Sequence, residues 1–126
     1  MADRLYTSSE ADEILSALRF ETKLEKAVLA RIAFALSLKK DGPSVSPSLK
    51  FTGGEMKRPT FFGADENFFR TLISFVYQTP DISEDKLYSN KSIIKDHIDS
   101  GSKHLSDLFI ECGRDSGKLI SKLTKL

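Results

Sequence analysis

The fold of this chain is decided by residues 24–38, which read LEKAVLARIAFALSL. Its apolar side chains follow two helical stripes, Leu24, Val28, Ile32 and Ala35 on one and Leu29, Ala33 and Leu36 on the other. A helix that is apolar almost all round either spans a membrane or is surrounded by protein. This one has 15 residues with Arg31 in the middle, too short for a span. We expect a core helix that packs on its own domain and, through the Leu24 stripe, on another subunit.

The ends of this helix carry recognisable signals. Thr22 followed three residues later by Glu25 predicts a capping box at its start. Lys39 and Lys40 suit the negative end of the helix dipole, and the sequence 41–43, Asp-Gly-Pro, stops the helix. For Arg31 we expect a carboxylate partner at a subunit interface, because an unpaired buried charge is costly.

The N-terminal part predicts a short strand and a first helix. Residues 3–7 alternate polar and apolar side chains, and Ser8 or Ser9 then caps a helix of about 12 residues. Strand, helix, corner and buried helix over residues 3–38 form a ribbon–helix–helix-like pattern. In that pattern, the strands of two chains pair into a ribbon that can enter the DNA major groove. An ordinary helical hairpin with a frayed N-terminus is the alternative.

The remaining sequence predicts a mainly α protein with a β-hairpin insertion and C-terminal helices, all in a single domain over residues 1–126. Residues 39–63 form a basic hairpin or loop, with strand pieces at 49–52 and 56–62 around a Gly-Gly pair. Residues 64–113 are helical, with helices from 65 to about 78 and from about 90 to 112. In the first of these, we assign the aromatic side chains to the core. Residues 114–126 form a basic tail that packs weakly or frays.

Charge is distributed unevenly along the chain. The net charge is +1, yet residues 23–60 hold eight basic against three acidic side chains. A clustered basic face on a near-neutral protein can bind phosphate groups. A solvated surface explains the same charges, so both interpretations stay open.

Catalytic chemistry has no convincing signature in the sequence. A phosphate-binding glycine loop is missing, and His97 and His104 are seven residues apart, an unusual spacing for metal ligands. The single cysteine, Cys112, lies in an apolar helical pattern and is assigned to packing. We therefore expect no enzyme, no metal and no cofactor. With no apparent signal peptide, spanning segment or disulfide, we expect a cytoplasmic protein.

Three stretches resemble the DndE family of bacterial DNA phosphorothioation systems. The run at 8–38, SSEADEILSALRFETKLEKAVLARIAFALSL, is similar to that family's N-terminal half. The segments ADENFFRTLISF at 64–75 and HIDSGSKHL at 97–105 are similar to its third helix and its His-Ile-Asp-x-Gly signature. The resemblance covers about residues 4–110. The corner between the first two helices departs from the family pattern, because Glu21 stands where the family is commonly basic.

This resemblance implies a ribbon–helix–helix-like subunit that assembles into oligomers, with a tetramer expected, and binds double-stranded DNA, preferably nicked. It also implies a restriction-modification context, with sulfur-transfer and ATPase subunits as partners. Its lysine-rich face would correspond first to Arg19, Lys23 and Lys26 at the helix corner. Charge clustering alone adds four second-rank candidates: Lys39, Lys40, Lys57 and Arg58.

Two other functions stay open from the sequence. A ribbon–helix–helix repressor would read an operator through Arg4 and Tyr6 and discriminate strongly between a specific site and bulk DNA. A protein–protein adaptor would use its apolar helices, and charge reversal at Lys23 and Lys26 would leave its function intact.

Overall fold

Helices make up most of the chain in the computed structural model, which describes residues 4–45, 55–80, 82–83, 86–87 and 93–125. In chain order, the elements are β1 (Arg4–Tyr6), α1 (Ser9–Thr22), α2 (Lys26–Lys40), a 3-10 turn (Gly42–Ser44), β2 (Glu55–Lys57), α3 (Arg58–Phe62), α4 (Glu66–Tyr77), α5 (Ile93–Glu111) and α6 (Ser116–Thr124). The mainly α prediction is confirmed. Across these ranges, no helix has the length and apolar character to cross a membrane.

The predicted N-terminal strand is present, but it pairs within its own chain. β1 runs antiparallel to β2, with Leu5 opposite Met56, and Leu5 is buried against the core. A ribbon–helix–helix ribbon would instead pair β1 with the same strand of a second copy, and this arrangement is not confirmed. The side chains of Arg4 and Tyr6, the proposed operator-reading pair, lie outside the described part of the chain.

The predicted hairpin is only partly present. Its first piece, 49–52, lies outside the described residues. Its second piece, 56–62, was predicted too long, because the chain turns into α3 at Arg58. Pro59 explains this correction: its fixed φ and missing amide hydrogen suit the first turn of a helix.

The corner between α1 and α2 lies later in the chain than the capping box predicts. Thr22 is the last residue of α1, and its hydroxyl donates to the Leu18 carbonyl at 2.7 Å. Lys23 then adopts a left-handed backbone with φ 65°, which ends the helix. Glu25 precedes α2 but makes no side-chain cap bond, so the capping box is wrong. At the other end of α1, Ser8 is the cap, with its hydroxyl oxygen accepting from the Ala11 amide at 3.1 Å.

The core lies where α2 crosses α5. The predicted inner stripe, Leu29, Ala33 and Leu36, is almost fully buried. On α5, Gly101 faces Ala33 so closely that a Cβ atom there would overlap the Ala33 carbonyl oxygen. In the sequence, Gly101 falls in a heptad-like apolar stripe with Ile98 and Leu105, and a glycine in such a stripe predicts a close helix crossing. The structure confirms that crossing. The two backbones touch, which is why no larger side chain is tolerated at 101.

The outer stripe of α2 is left partly open by this chain. Leu24, Val28 and Ile32 are half-buried, and Ala35 is exposed. This is the stripe predicted to form a subunit interface. Arg31 is half-buried, and its Nε donates to the Ala27 carbonyl at 3.4 Å. The residues that the structure describes supply no carboxylate partner to Arg31, so its predicted ion pair stays a prediction.

An aromatic cluster fills the space between α2, α3 and α4. Phe34, Phe61 and Phe62 are buried, and half-buried Phe69 packs against all three of them. The prediction that the aromatic side chains of this region belong to the core is confirmed for these residues. It is wrong for Phe68 and Phe75, which are 64% and 80% exposed on α4.

The C-terminal tail packs rather than frays over its described residues. α5 ends at Glu111, and Gly113 follows with φ 66°, a left-handed conformation that favours glycine and ends the helix. Asp115 caps α6 by accepting from the Lys118 amide at 3.0 Å. Leu119 is then buried in the core, and half-buried Cys112 packs against the core, as predicted.

Candidate nucleic-acid interface

The first candidate site is the corner between α1 and α2. We call four of its exposed side chains, Arg19, Phe20, Lys23 and Arg114, the corner cluster. The Lys23 ammonium lies 4.9 Å from the centre of the Phe20 ring, a cation–π distance. Arg114 comes from the turn between α5 and α6 and was not singled out from the sequence. The fold therefore brings one further cation, Arg114, to the corner and leaves the Phe20 ring exposed there.

Arg114 changes the role of Glu21. Its Nη1 lies 3.0 Å from both carboxylate oxygens of Glu21. The sequence suggested that this glutamate weakens the corner as a phosphate site. With Arg114 included, the corner has three basic side chains, Arg19, Lys23 and Arg114, against the acidic Glu21 and Glu25, so its net charge stays positive.

Lys26 is the least available of the three first-rank candidates. It is half-buried and forms an ion pair with Asp12 of α1. Such a pair holds the first turn of α2 against α1. A phosphate group would have to compete with that carboxylate, so Lys26 contributes less to an anion site than Arg19 or Lys23.

The second candidate site is the C-terminal end of α2, where Lys39 and Lys40 are both exposed. At 1.5 Å per residue, the 15 residues of α2 make the helix about 21 Å long, so this end lies roughly one helix length from the α1–α2 corner. The predicted basic residues therefore form two separate groups within one chain. Lys57 is exposed on β2, and Arg58 begins α3, with its side chain outside the described part.

An apolar cavity of about 440 Å³ lies beside the Lys39 end of α2. It is lined by Ile32, Ala35, Leu36 and Lys39 of α2 and by Ile120, Leu123 and Thr124 of α6. Ile32 and Ala35 belong to the outer stripe, so this stripe continues onto α6. Ile120 is 51% exposed there, which extends the open apolar surface.

A buried polar network ties the same end of α2 to α4 and α5. The His97 side chain is fully buried, with Nδ1 2.8 Å from the Ser37 hydroxyl and Nε2 2.8 Å from the Tyr77 hydroxyl. Ser37 in turn donates to Asp41 at 2.8 Å. Asp41 also accepts from Ser100 at 2.7 Å and lies 3.1 Å from Nε2 of His104. Neither histidine was recognised from the sequence as part of such a network.

These contacts settle the position of each proton. A carboxylate only accepts, so the single hydroxyl hydrogen of Ser37 points to Asp41. The Ser37 oxygen must then accept from Nδ1–H of His97. Nε2 of His97 carries no hydrogen and accepts from the Tyr77 hydroxyl. The result is a one-way chain of hydrogen bonds from Tyr77 through His97 and Ser37 to Asp41.

The pKa shifts agree with this arrangement. Burial lowers the pKa of His97 from 6.5 to about 4, although the charge of Asp41 opposes the shift. Burial also raises the pKa of Tyr77, and the charge of Asp96 adds to that. For Asp41, burial acts to raise the pKa, but hydrogen bonds from Ser100, Ser37 and His104 outweigh it and keep the pKa below 3.8. At neutral pH, the chain thus holds a neutral imidazole, a protonated phenol and a carboxylate.

A tyrosine bonded to a histidine has the outline of an activated nucleophile, yet this pair is poorly suited to that work. His97 is inaccessible, both of its ring nitrogens are occupied, and its lowered pKa makes it a weak base. The raised pKa of Tyr77 opposes formation of a phenolate. Among the described residues, no group of three or more histidine, cysteine or acidic side chains could hold a metal ion. The hydrogen bonds of this network are suited to holding α2, α4 and α5 together.

Comparison with known proteins gives a match to one family model and matches to solved structures. The family model described as "DNA sulphur modification protein DndE" matches residues 4–109. Among solved structures, the crystal structure of DndE from Escherichia coli B7A, described as involved in DNA phosphorothioation modification, is similar with a TM-score of 0.63 and 20% sequence identity. That match covers 83% of this chain and 98% of the other. A comparison with curated proteins found no match.

At 20% identity, the structural match by itself shows a shared fold. The family model covers most of the chain, including all of α1 to α4 and the Gly101 crossing on α5. The resemblance noticed in the sequence is thus confirmed: this chain belongs to the DndE family, which takes part in DNA phosphorothioation modification.

Proposed function

We propose that this DndE chain is a non-catalytic subunit that binds double-stranded DNA, including nicked duplex, through the phosphate backbone. The observation that carries the proposal is the pair of basic groups at the two ends of α2. Lys39 and Lys40 are exposed at one end, and Arg19 and Lys23 at the other, where Arg114 offsets Glu21. The length of α2, about 21 Å between its two ends, corresponds to about six phosphates along one DNA strand.

The partners follow from the same proposal. We expect the sulfur-transfer and ATPase subunits of the modification system to carry the chemistry, in the cytoplasm. The buried state of His97 and its weak basicity support a non-catalytic role for this subunit. Incubation of supercoiled plasmid with the protein and a divalent cation should leave the plasmid intact. Reproducible nicking that is lost on Tyr77→Phe substitution would contradict the non-catalytic assignment.

Self-association is the second part of the proposal. The open stripe of Leu24, Val28, Ile32 and Ala35 continues onto α6, and a second copy of this chain would cover it. Joining copies would also bring several pairs of basic groups onto one surface. Light scattering coupled to gel filtration should show an oligomer, for which we expect a tetramer. Ile32→Glu should reduce it to smaller species, whereas a wild-type monomer would refute this part.

Salt dependence tests the phosphate contacts. The slope of log affinity against log salt is about −0.9 per phosphate contact on duplex DNA, so Lys39→Gln with Lys40→Gln should reduce its steepness by about 2. Lys103→Gln is the matched control, since Lys103 is also exposed but is already paired with Glu10 of α1. Absence of binding at low salt, or equal slopes for both variants, would refute the proposal.

The same titrations separate the two alternative functions. A repressor would prefer one operator sequence by about 1,000-fold or more over bulk DNA. An adaptor would tolerate charge reversal at Lys23 and Lys26 without loss of function. Sequence-independent binding that is lost on charge reversal supports the proposed subunit over both.

A further inference from the structure

The corner cluster combines an exposed aromatic ring with cations in a way that backbone contacts alone do not require. Phe20 is 76% exposed, one residue after Arg19 and within cation–π distance of Lys23. Single exposed apolar residues are common on proteins and need no explanation. Phe68 and Phe75 are comparably exposed, but no described cation lies over either ring. Phe20 differs by its charged surroundings.

Aromatic rings beside cations are the usual means of holding unpaired nucleotides. The ring stacks on the face of a base while the cations bind the flanking phosphates. Inside an intact duplex, the base faces are stacked on each other, and a protein reaches only their edges. A ring such as that of Phe20 can therefore stack only where a strand is interrupted or single.

The local geometry suits this task. Lys23 has a left-handed backbone conformation, and its ammonium group lies over the Phe20 ring. Arg114 offsets Glu21, the one acidic side chain between residues 19 and 23. An incoming phosphate thus meets the positive charges of Arg19 and Lys23 beside a solvent-accessible ring.

We propose that the corner cluster binds an unpaired nucleotide of DNA, with Phe20 stacking on its base and Arg19 and Lys23 binding the adjacent phosphates. This inference rests on the proposed DNA-binding function, which already includes nicked duplex, and assigns the recognition of an interrupted strand to Phe20. It predicts that a duplex with a single-stranded gap binds more tightly than an intact duplex of the same length. The preference should reside in Phe20 and not in the lysines.

The chain contains no tryptophan, so Phe20→Trp introduces a single fluorescent reporter at the corner. Its fluorescence should be quenched by gapped duplex and by single-stranded DNA, and much less by intact duplex. Phe20→Ala should weaken binding to gapped duplex by about 5-fold to 150-fold, the range of one base–aromatic stack, and leave intact duplex nearly unchanged. Phe75→Trp and Phe75→Ala are the matched controls, because Phe75 is 80% exposed on α4 and should show neither effect.

Each result has a distinct meaning. If wild-type protein binds no DNA, both the function and the inference fail. If it binds, but Phe20→Ala matches wild type on gapped duplex or Phe20→Trp is not quenched, only the inference fails. It also fails if Phe20→Ala changes the oligomer size in light scattering, because the ring would then belong to a subunit contact.

Discussion

Acid should destabilise this protein through His97 before its carboxylates titrate. The imidazole is neutral in the folded state, with a pKa of about 4, and near 6.5 when the chain is unfolded. Between these values, the unfolded state binds one more proton than the folded state. Stability therefore rises with pH across this window and is lost as the pH falls from 6.5 towards 4.

The size of the effect follows from the two pKa values. At 1.36 kcal/mol per pKa unit, the complete window amounts to about 3 kcal/mol. Most of it is reached early, since lowering the pH from 7 to 5 should reduce the free energy of unfolding by about 2 kcal/mol. A loss of about 2 kcal/mol is a large part of the total stability of a domain of 126 residues, which is typically about 5–15 kcal/mol. The lowered pKa of Asp41 adds a further loss only at more acidic pH, below 3.8.

Urea unfolding at pH 7, 6 and 5 measures this directly. His97→Gln should be less stable than wild type at pH 7, and the difference should shrink by about 2 kcal/mol at pH 5 because glutamine does not titrate. His104→Gln is a control for general acid effects, since His104 is half-buried and also lies beside Asp41. A constant difference between wild type and His97→Gln would refute the reasoning. If that variant fails to fold, the ring nitrogen shifts of wild-type His97 test the same claim and should show a proton on Nδ1 alone down to pH 5.

Two further predictions concern the packing of α5. Gly101→Ala should lower the free energy of unfolding by several kcal/mol or prevent folding, because its Cβ would overlap the Ala33 carbonyl. Gly117→Ala, on exposed α6, is the control and should shift the thermal midpoint little. The buried Asp99 carboxylate lies 2.5 Å from the Lys95 ammonium and also accepts from the Ser8 amide. Lys95→Met would leave this carboxylate without its cation, so it should lower the free energy of unfolding in urea by about 3–5 kcal/mol. Lys103→Met, which removes an exposed pair with Glu10, should cost no more than about 1 kcal/mol.

Periodicity was a good guide to helices and a poor guide to their ends. The α2 stripes and the Gly101 crossing follow from spacing alone, because a helix places residues three and four apart on one face. The α1–α2 corner was misplaced, because Lys23 adopts a left-handed conformation that few lysines adopt. A pattern could not reveal that β1 pairs with β2, some fifty residues later.

The candidate site shows the same division. Exposed Lys39, Lys40 and Lys57 were found from charge, since charge and exposure usually go together. Arg114 was missed, because it meets Glu21 across 93 residues. The His97 network was missed for the same reason, as Ser37, Tyr77 and Asp41 reach it from other helices. These contacts join residues that are far apart in the sequence, so only the folded structure reveals them.

Asp41 links stability to the proposed function. It lies next to Lys39 and Lys40, where a negative charge opposes phosphate binding, yet it accepts hydrogen bonds from Ser37 and Ser100. Asp41→Asn should therefore reduce the stability of the fold and strengthen DNA binding. It should lower the free energy of unfolding by about 1–3 kcal/mol, because an amide accepts fewer hydrogen bonds. It should also tighten DNA binding at low salt, because a charge that repels phosphate is gone. Tighter binding with unchanged stability would show that the network does not hold this end of α2, and unchanged binding would show that the lysines do not face the DNA.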